Sequence, residues 1–274
     1  MSSKVVLRAN AKINLTLDIL GKRSDNYHDI QGYVAFLDLY DELIINHSEK
    51  LLVSFDNPFY ENVSSKSNTI IKLYNYLSSY FPNLSQYKVH VKKNIPISAG
   101  LGGGSCNAAA FMRYLISDLK INMDQINLES LARNVGADVP CCLINESSYI
   151  SGIGEIIQEV KLSDAYYCLL VNPQIPVSTA KIYEKISIKG LEALHNKKFL
   201  SSPSIGHIIN GKNDFQQIII QDYPIIGVII NHLTKAEGCF LARMTGSGPT
   251  CFGFFSKQED MSKCKKKFLN RRLA

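Results

Sequence analysis

The sequence predicts an α+β fold, and three observations carry that expectation. Apolar residues alternate with polar ones from Ile13 onward, the period-2 mark of strands. The spacing changes to the helical period between Asn68 and Tyr80. A strand, a glycine-rich loop and an Ala-rich helix then follow one another around Ile95–Ala109. The 274 residues are enough for two domains of ordinary size or one large one. With 46% apolar and 20% charged residues, a large core is available and wholesale disorder is excluded.

In chain order, Ile13, Leu15, Leu17 and Ile19 alternate with Asn14, Thr16 and Asp18 as a half-buried strand does. Apolar clusters at Ile30–Leu39, Leu43–Ile45 and Leu51–Phe55 predict further strands. Ile70, Leu73, Tyr74 and Leu77 share one helical face. Tyr87, Val89 and Val91 alternate with Lys88, His90 and Lys92, giving another strand, and a helix is expected from about Ser105 to Ser117. Leu128, Leu131, Ala132 and Val135 mark another helix that Gly136 can end. Strands around Ser148–Ile150 and Ile156–Val160 close the first half. The second half alternates: strand Tyr166–Val171, a helix after Ser178, helices near Asp214–Ile220 and Pro224–Leu233, strands Phe240–Met244 and Thr250–Phe255, and a terminal helix. No internal repeat appears, and the domain boundary is expected near residue 160, giving 1–160 and 161–274.

Composition narrows the function classes. No stretch approaches the roughly 20 apolar residues of a membrane span, and the N-terminus lacks the apolar region of a secretory signal. Seven Cys with no C-x-x-C pair suit reduced, buried thiols in a cytoplasmic protein better than disulfides or zinc. The net charge of +6 is concentrated from Lys257 to the end, where seven basic residues face two acidic ones. That is the pattern of a solvated terminal segment more than of a nucleic-acid surface.

The strongest chemical signal is the run from Ile95 to Ala109, with glycines at Gly100, Gly102, Gly103 and Gly104. Glycines let backbone N–H groups converge on one concavity, and a helix N-terminus adds unpaired donors, so such a loop suits phosphate oxygens. It is neither a Walker A loop nor a Rossmann fingerprint. The second glycine turn, Met244–Thr250, reads equally as a hairpin or a ligand loop. Asp138, in Gly136-Ala137-Asp138-Val139-Pro140, reads first as a helix cap. Lys12 reads as a lysine on the outer face of its strand, and Asp25-Asn26-Tyr27-His28 as a polar turn with a core tyrosine.

Taken together, these pieces resemble one family. Ala11-Lys12-Ile13-Asn14-Leu15, the Pro96–Ala109 loop and Met244–Pro249 match, in order, the three motifs of the galactokinase, homoserine kinase, mevalonate kinase and phosphomevalonate kinase superfamily. The segments AKINLTL, RSDNYH, GLGGGSCNAA and GADVP are most similar to its members that phosphorylate the 2-hydroxyl of 4-diphosphocytidyl-2-C-methyl-D-erythritol. The resemblance spans Ala11 to Gly253. It implies an N-terminal domain like the second domain of ribosomal protein S5, a ferredoxin-like C-terminal domain, and an active site between them. It also implies ATP with Mg²⁺, small-molecule partners only, a monomer or weak homodimer, and a place in the non-mevalonate route to isoprenoid precursors.

Residue by residue, the resemblance makes Asp138 the catalytic base and Lys12 the catalytic lysine. Asn14, Tyr27, His28, Thr179 and Tyr183 become substrate contacts, with Tyr27 and His28 at the cytosine and Tyr183 on its other face. Asn68, Lys93, Pro96, Gly100, Leu101, Gly102, Gly103, Gly104, Ser105 and Asn107 fall on the ATP side. The sequence departs from the family pattern at Asn26, where Gly is usual, at Cys106, where a second Ser is usual, and at Cys141 and Cys142, where aromatics are common. Two other readings stand beside this one. Another small-molecule kinase of the superfamily would have no use for Tyr27-His28, and a non-catalytic RNA-binding protein would have none for Lys12 with Asp138.

Overall fold

The computed structural model describes residues 4–56, 68–162, 164–186 and 199–271, apart from the side chains of Thr179, Ala180 and Arg271. A long strand, β3 (His28–His47), organises the first half. It pairs antiparallel with β1 (Val5–Asn14), β2 (Asp18–Lys22), β5 (Tyr87–Lys92) and β6 (Ser148–Gly152). Strand β4 (Leu52–Phe55) adds in parallel to β5, and β7 (Ile156–Glu159) completes a seven-stranded sheet. The sequence reading split β3 in two at Asp41-Glu42. The strand stays whole because the buried Asp41 carboxylate is fully satisfied, by Lys93 and by the amides of Asn94 and Ile95.

Helices α1 (Thr69–Tyr80), α2 (Gly103–Leu119), α3 (Leu128–Asn134) and α4 (Val139–Ile144) pack on one face of this sheet. Asn68 begins α1 by accepting from the amides of Ile70 and Ile71 at 2.9 and 3.3 Å. The second half holds a three-stranded antiparallel sheet, β8 (Tyr167–Val171), β10 (Cys251–Phe255) and β9 (Cys239–Met244). Helices α5 (Thr179–Glu184), α6 (Ile205–Ile209), α7 (Asp214–Asp222), α8 (Pro224–Thr234) and α9 (Gln258–Arg271) accompany it. The short α4, α6 and β2 were not anticipated; five or six residues are too few for a periodicity to show.

The two sheets meet directly. Ala11, Ile13, Leu15, Tyr33 and Ala35 form one cluster with Leu241, Phe252 and Phe254. Around the end of β1 the first sheet is therefore covered on both faces, by helices on one and by the second sheet on the other, whereas Lys88 and Lys92 of β5 face solvent. On α9, Cys264 and Phe268 are buried while Lys263, Lys265, Lys266 and Lys267 face solvent, so the basic run is a solvated helix face. No helix among the described residues is long and apolar enough to cross a membrane.

Candidate active site

Lys12 does not lie on an outer face. The β1–β3 register shifts between Asn10 and Lys12, where Asn10 faces Tyr40 but Lys12 faces Phe36. This bulge exchanges the faces of β1: Ala9 packs with the helix-side core, whereas Ala11, Ile13 and Leu15 pack against the second sheet. Lys12 is thereby turned toward the glycine loop, its amide donating to Leu101 O at 3.0 Å. Its side chain is 3% exposed, and Nζ donates to Asp138 Oδ1 at 2.9 Å and to Asn14 Oδ1 at 2.8 Å. Burial alone would push the Lys12 pKa down, but the Asp138 carboxylate, through its charge and its hydrogen bond, together with Cys141 and Cys142 turns the net direction up. Lys12 is thus held as the ammonium ion.

Asp138 occupies the N-cap position of α4 but makes no capping hydrogen bond. Its carboxylate faces Lys12 instead, and 38% of the side chain stays exposed, leaving room for a reacting hydroxyl. The cap reading is therefore corrected: the ammonium claims the oxygen that a cap would use.

The glycine loop sits at the N-terminus of α2, which begins at Gly103, two residues earlier than expected. Gly102 takes a left-handed conformation as its N-cap, so the amides that follow have no side-chain cap. A pocket of about 280 Å³ lies over this terminus, lined by residues 96–105 with Asn68, Thr69, Lys93 and Asn107. The expected ATP-side residues Asn68, Lys93, Pro96, Gly100, Leu101, Gly102, Gly103, Gly104, Ser105 and Asn107 all line it. Asn68 does so with its side-chain oxygen already committed to capping α1. Asn107 is 3% exposed and its Oδ1 has no hydrogen-bond partner. A Cβ on Gly103 would stand 2.9 Å from Ile95 Cγ2 and 3.3 Å from Lys93 Nζ. No group of three His, Cys, Asp or Glu placed to hold a metal occurs among the described residues.

The second glycine turn joins β9 to β10 and also lies behind the phosphate loop. A Cβ on Gly100 (φ +74°) would meet Gly248 O at 2.7 Å and Thr245 O at 2.8 Å. The buried Thr245 hydroxyl accepts from Asn14 N at 2.9 Å and donates to Gly100 O at 3.2 Å. Sequence reasoning passed over Thr245, Asp41 and Arg243. The Arg243 guanidinium, 6% exposed, donates to the carbonyls of Leu15, Ile208, Ile209 and Gly211.

On the expected cytosine side, Asn26 has φ 67°, a left-handed angle that Asn tolerates, so the turn survives without the usual Gly. Tyr27 is 37% exposed, and the Arg133 guanidinium lies 4.6 Å over its ring. Arg133 is itself held at 2.7 Å by both Asp25 and Glu129. His28 stacks on Tyr183 with ring centroids 4.8 Å apart, and Phe215 meets Tyr183 edge-on at 4.8 Å. Burial, reinforced by the nearby Asp138, pushes the Tyr183 hydroxyl up to about 12. The structure thus brings His28 and Tyr183 together near the Lys12–Asp138 pair, with Tyr27 held separately by Arg133. Thr179 opens α5, and its side chain lies outside the described residues.

The departures at Cys106 and Cys142 meet each other. Their sulfurs are 3.2 Å apart in the core, and Cys106 does not line the nucleotide pocket. A separate cavity of about 660 Å³ contains neither the loop nor Lys12 and Asp138; it lies among apolar residues such as Leu37, Leu39 and Phe254.

Comparison with known proteins agrees with the motif reading. Residues 68–146 match the family described as GHMP kinases N terminal domain, and residues 203–273 match GHMP kinases C terminal. A 4-diphosphocytidyl-2-C-methyl-D-erythritol kinase of Bradyrhizobium sp. (strain ORS 278) is 33% identical over 92% of this chain and 88% of its own. One from Thermoanaerobacter pseudethanolicus is 36% identical over 95% and 90%. Among solved structures, a 4-(cytidine 5'-diphospho)-2C-methyl-D-erythritol kinase matches with TM-score 0.72 and 22% identity, covering 97% of this chain and 96% of that one. Homoserine kinase from Cytophaga hutchinsonii shares the fold at TM-score 0.67 and 16% identity, covering 98% and 91%. Matched by both GHMP segments in order, and by these relatives along nearly its whole length, the chain belongs to the GHMP kinases, in the family of 4-diphosphocytidyl-2-C-methyl-D-erythritol kinases.

Proposed function

We propose that the protein transfers the γ-phosphoryl group of ATP to the 2-hydroxyl of 4-diphosphocytidyl-2-C-methyl-D-erythritol, a step toward isoprenoid precursors by the non-mevalonate route. The observation that carries this reading is the buried Lys12 ammonium, 2.9 Å from a half-open Asp138 carboxylate and beside the glycine loop. Phosphoryl transfer asks a protein mainly for positioning and charge stabilisation. Asp138 accepts the proton of the attacking hydroxyl. Lys12 keeps that carboxylate ionised and stabilises charge developing on the oxygen. Asn14, its Oδ1 on Lys12, fixes the ammonium and adjoins the substrate. The α2 N-terminus and Lys93 hold the triphosphate.

Magnesium is often bound through one or two protein oxygens together with substrate phosphates, and the residues here fit that mode. Ser105 and Asn107, with its unpartnered buried oxygen, would be the protein donors. The ion would neutralise charge on the transferring group. Tyr27, His28 and Tyr183 supply aromatic surface for the cytosine, and Thr179 adjoins the substrate diphosphate.

The proposed domains are 1–160 and 161–274; the first sheet ends at Glu159 and the second begins at Tyr167. A cytoplasmic monomer or weak homodimer with small-molecule partners completes the reading. ADP release measured against the cytidyl substrate, its uridyl analogue, homoserine and mevalonate tests it. Strong preference for the cytidyl compound is expected. Turnover of homoserine or mevalonate, or no ADP release with any acceptor, would overturn it.

A further inference from the structure

Asp41 is the most deeply buried charge among the described residues, with 0% exposure in the middle of β3. One of its oxygens accepts from the amides of Asn94 and Ile95, each at 2.8 Å. The other accepts from the ammonium of Lys93, whose side chain is 4% exposed. These three donors come from the residues that carry the chain out of β5 into the glycine loop. The Lys93 ammonium lies 3.3 Å from where a Gly103 side chain would begin, at the floor of the nucleotide pocket.

A bare carboxylate so near a phosphate site would repel the ligand, and an isolated buried charge is strongly unfavourable. Paired with Lys93, it does the reverse: it holds an ammonium ion where polyphosphate must lie, and the same group anchors the loop's entry. We infer that Asp41 is a positioning residue for the nucleotide, acting through Lys93 to present a fixed cation beneath the glycine loop. The other acids near this turn do different work. Asp56 accepts from the Lys93 amide at 3.0 Å, and Glu42 pairs with Lys92 on the surface at 3.2 Å.

The inference rests on reading this pocket as the ATP site, and a double-mutant cycle in the full-length protein separates the two. Asp41→Asn keeps acceptors for the loop amides and removes the charge that holds Lys93. It is expected to raise KM for ATP about tenfold or more, while kcat and KM for the cytidyl substrate change less than about threefold. Lys93→Met should weaken ATP binding, measured by calorimetry, to a similar degree. The double variant should bind ATP no more weakly than Lys93→Met alone, because Asp41 then has nothing to position. Neutralising both partners of a buried pair is tolerated better than neutralising one, so the double variant remains informative if Asp41→Asn does not fold.

Equal losses for both substrates in Asp41→Asn would overturn the inference, as would a further tenfold loss of ATP affinity on adding Asp41→Asn to Lys93→Met. Either result would leave Asp41 as a loop anchor only. Unchanged ATP affinity in Lys93→Met would overturn it as well. Unchanged affinity in Gly103→Val would instead overturn the pocket assignment itself.

Discussion

Asp138→Asn tests the core of the proposed mechanism, and the structure sets what it should do. A positioned general base contributes about 10²–10⁴-fold, so kcat should fall by at least about a hundredfold. That corresponds to about 3 kcal/mol or more of barrier. ATP affinity should barely move, because Asp138 does not line the glycine-loop pocket. The same substitution has a second, electrostatic readout. In the wild type the folded Lys12 pKa is raised. The stability it contributes is therefore fully present below the unfolded lysine value of about 10.4 and is lost only at higher pH. Without the carboxylate, burial dominates and the folded pKa falls below the unfolded one. The Asp138→Asn protein should then gain stability as pH rises toward 10, where the wild type shows no such gain. The assays are coupled ADP release for kcat, nucleotide titration for binding, and thermal melts from pH 7 to 10. A variant that turns over near the wild-type rate would return Asp138 to a structural role. Melting curves with the same pH dependence as wild type would remove the claim that it controls the charge of Lys12.

Gly103→Val should weaken ATP binding far more than cytidyl-substrate binding, since the added carbons would meet Ile95 and Lys93 at the pocket floor; calorimetry of both ligands checks this. Tyr27→Ala should raise KM for the cytidyl substrate more than KM for ATP, with stacking on a base worth about 1–3 kcal/mol. The uridyl analogue should be a poor substrate, because a mismatched base edge leaves buried polar groups unpaired at about 1–3 kcal/mol each, and comparable kcat/KM for the two nucleotides would remove the base-reading role. Cys106→Ser should lower thermal stability and leave KM for ATP near wild type, because the sulfur packs on Cys142 outside the nucleotide pocket. A changed ATP KM at unchanged stability would mean that position 106 does reach the phosphates.

The chemistry of this site was more legible in the sequence than its architecture. The glycine loop declares itself because four glycines between a strand and a helix have few other uses, and the structure puts a pocket there. Strand β5 and helix α1 were legible because Tyr87–Val91 and Ile70–Leu77 hold one period throughout. Lys12 was not legible from periodicity. Alternation cannot reveal a bulge, nor that both faces of a strand are covered, so a buried lysine looked like a surface one. Asp41 was hidden for a related reason: a carboxylate inside an apolar run resembles a turn until its partners arrive from beyond residue 90. The contact of Arg133 with Tyr27 joins segments more than a hundred residues apart, and no local pattern encodes it.

The third family motif shows why the site needs both sheets. The turn Met244–Pro249 does not line the nucleotide pocket. It works from behind. Gly100 can carry no side chain because the Thr245 and Gly248 carbonyls stand where a Cβ would go. The Thr245 hydroxyl joins that loop to the amide of Asn14, whose side chain holds Lys12. The turn is fixed in its own right, since Asn213 Nδ2 donates to Met244 O and Gly246 O, each at 2.8 Å. Arg243, one residue before the turn, binds the Leu15 carbonyl just beyond Asn14. Burial lowers the Arg243 pKa to about 10, yet it remains charged at neutral pH. A single buried hydroxyl and a single buried guanidinium thus couple the phosphate loop and the catalytic strand of the first sheet to a rigid turn of the second. Catalysis by positioning requires these parts to keep their separation to a fraction of an ångström, which packed side chains and short hydrogen bonds can maintain and a free glycine loop cannot.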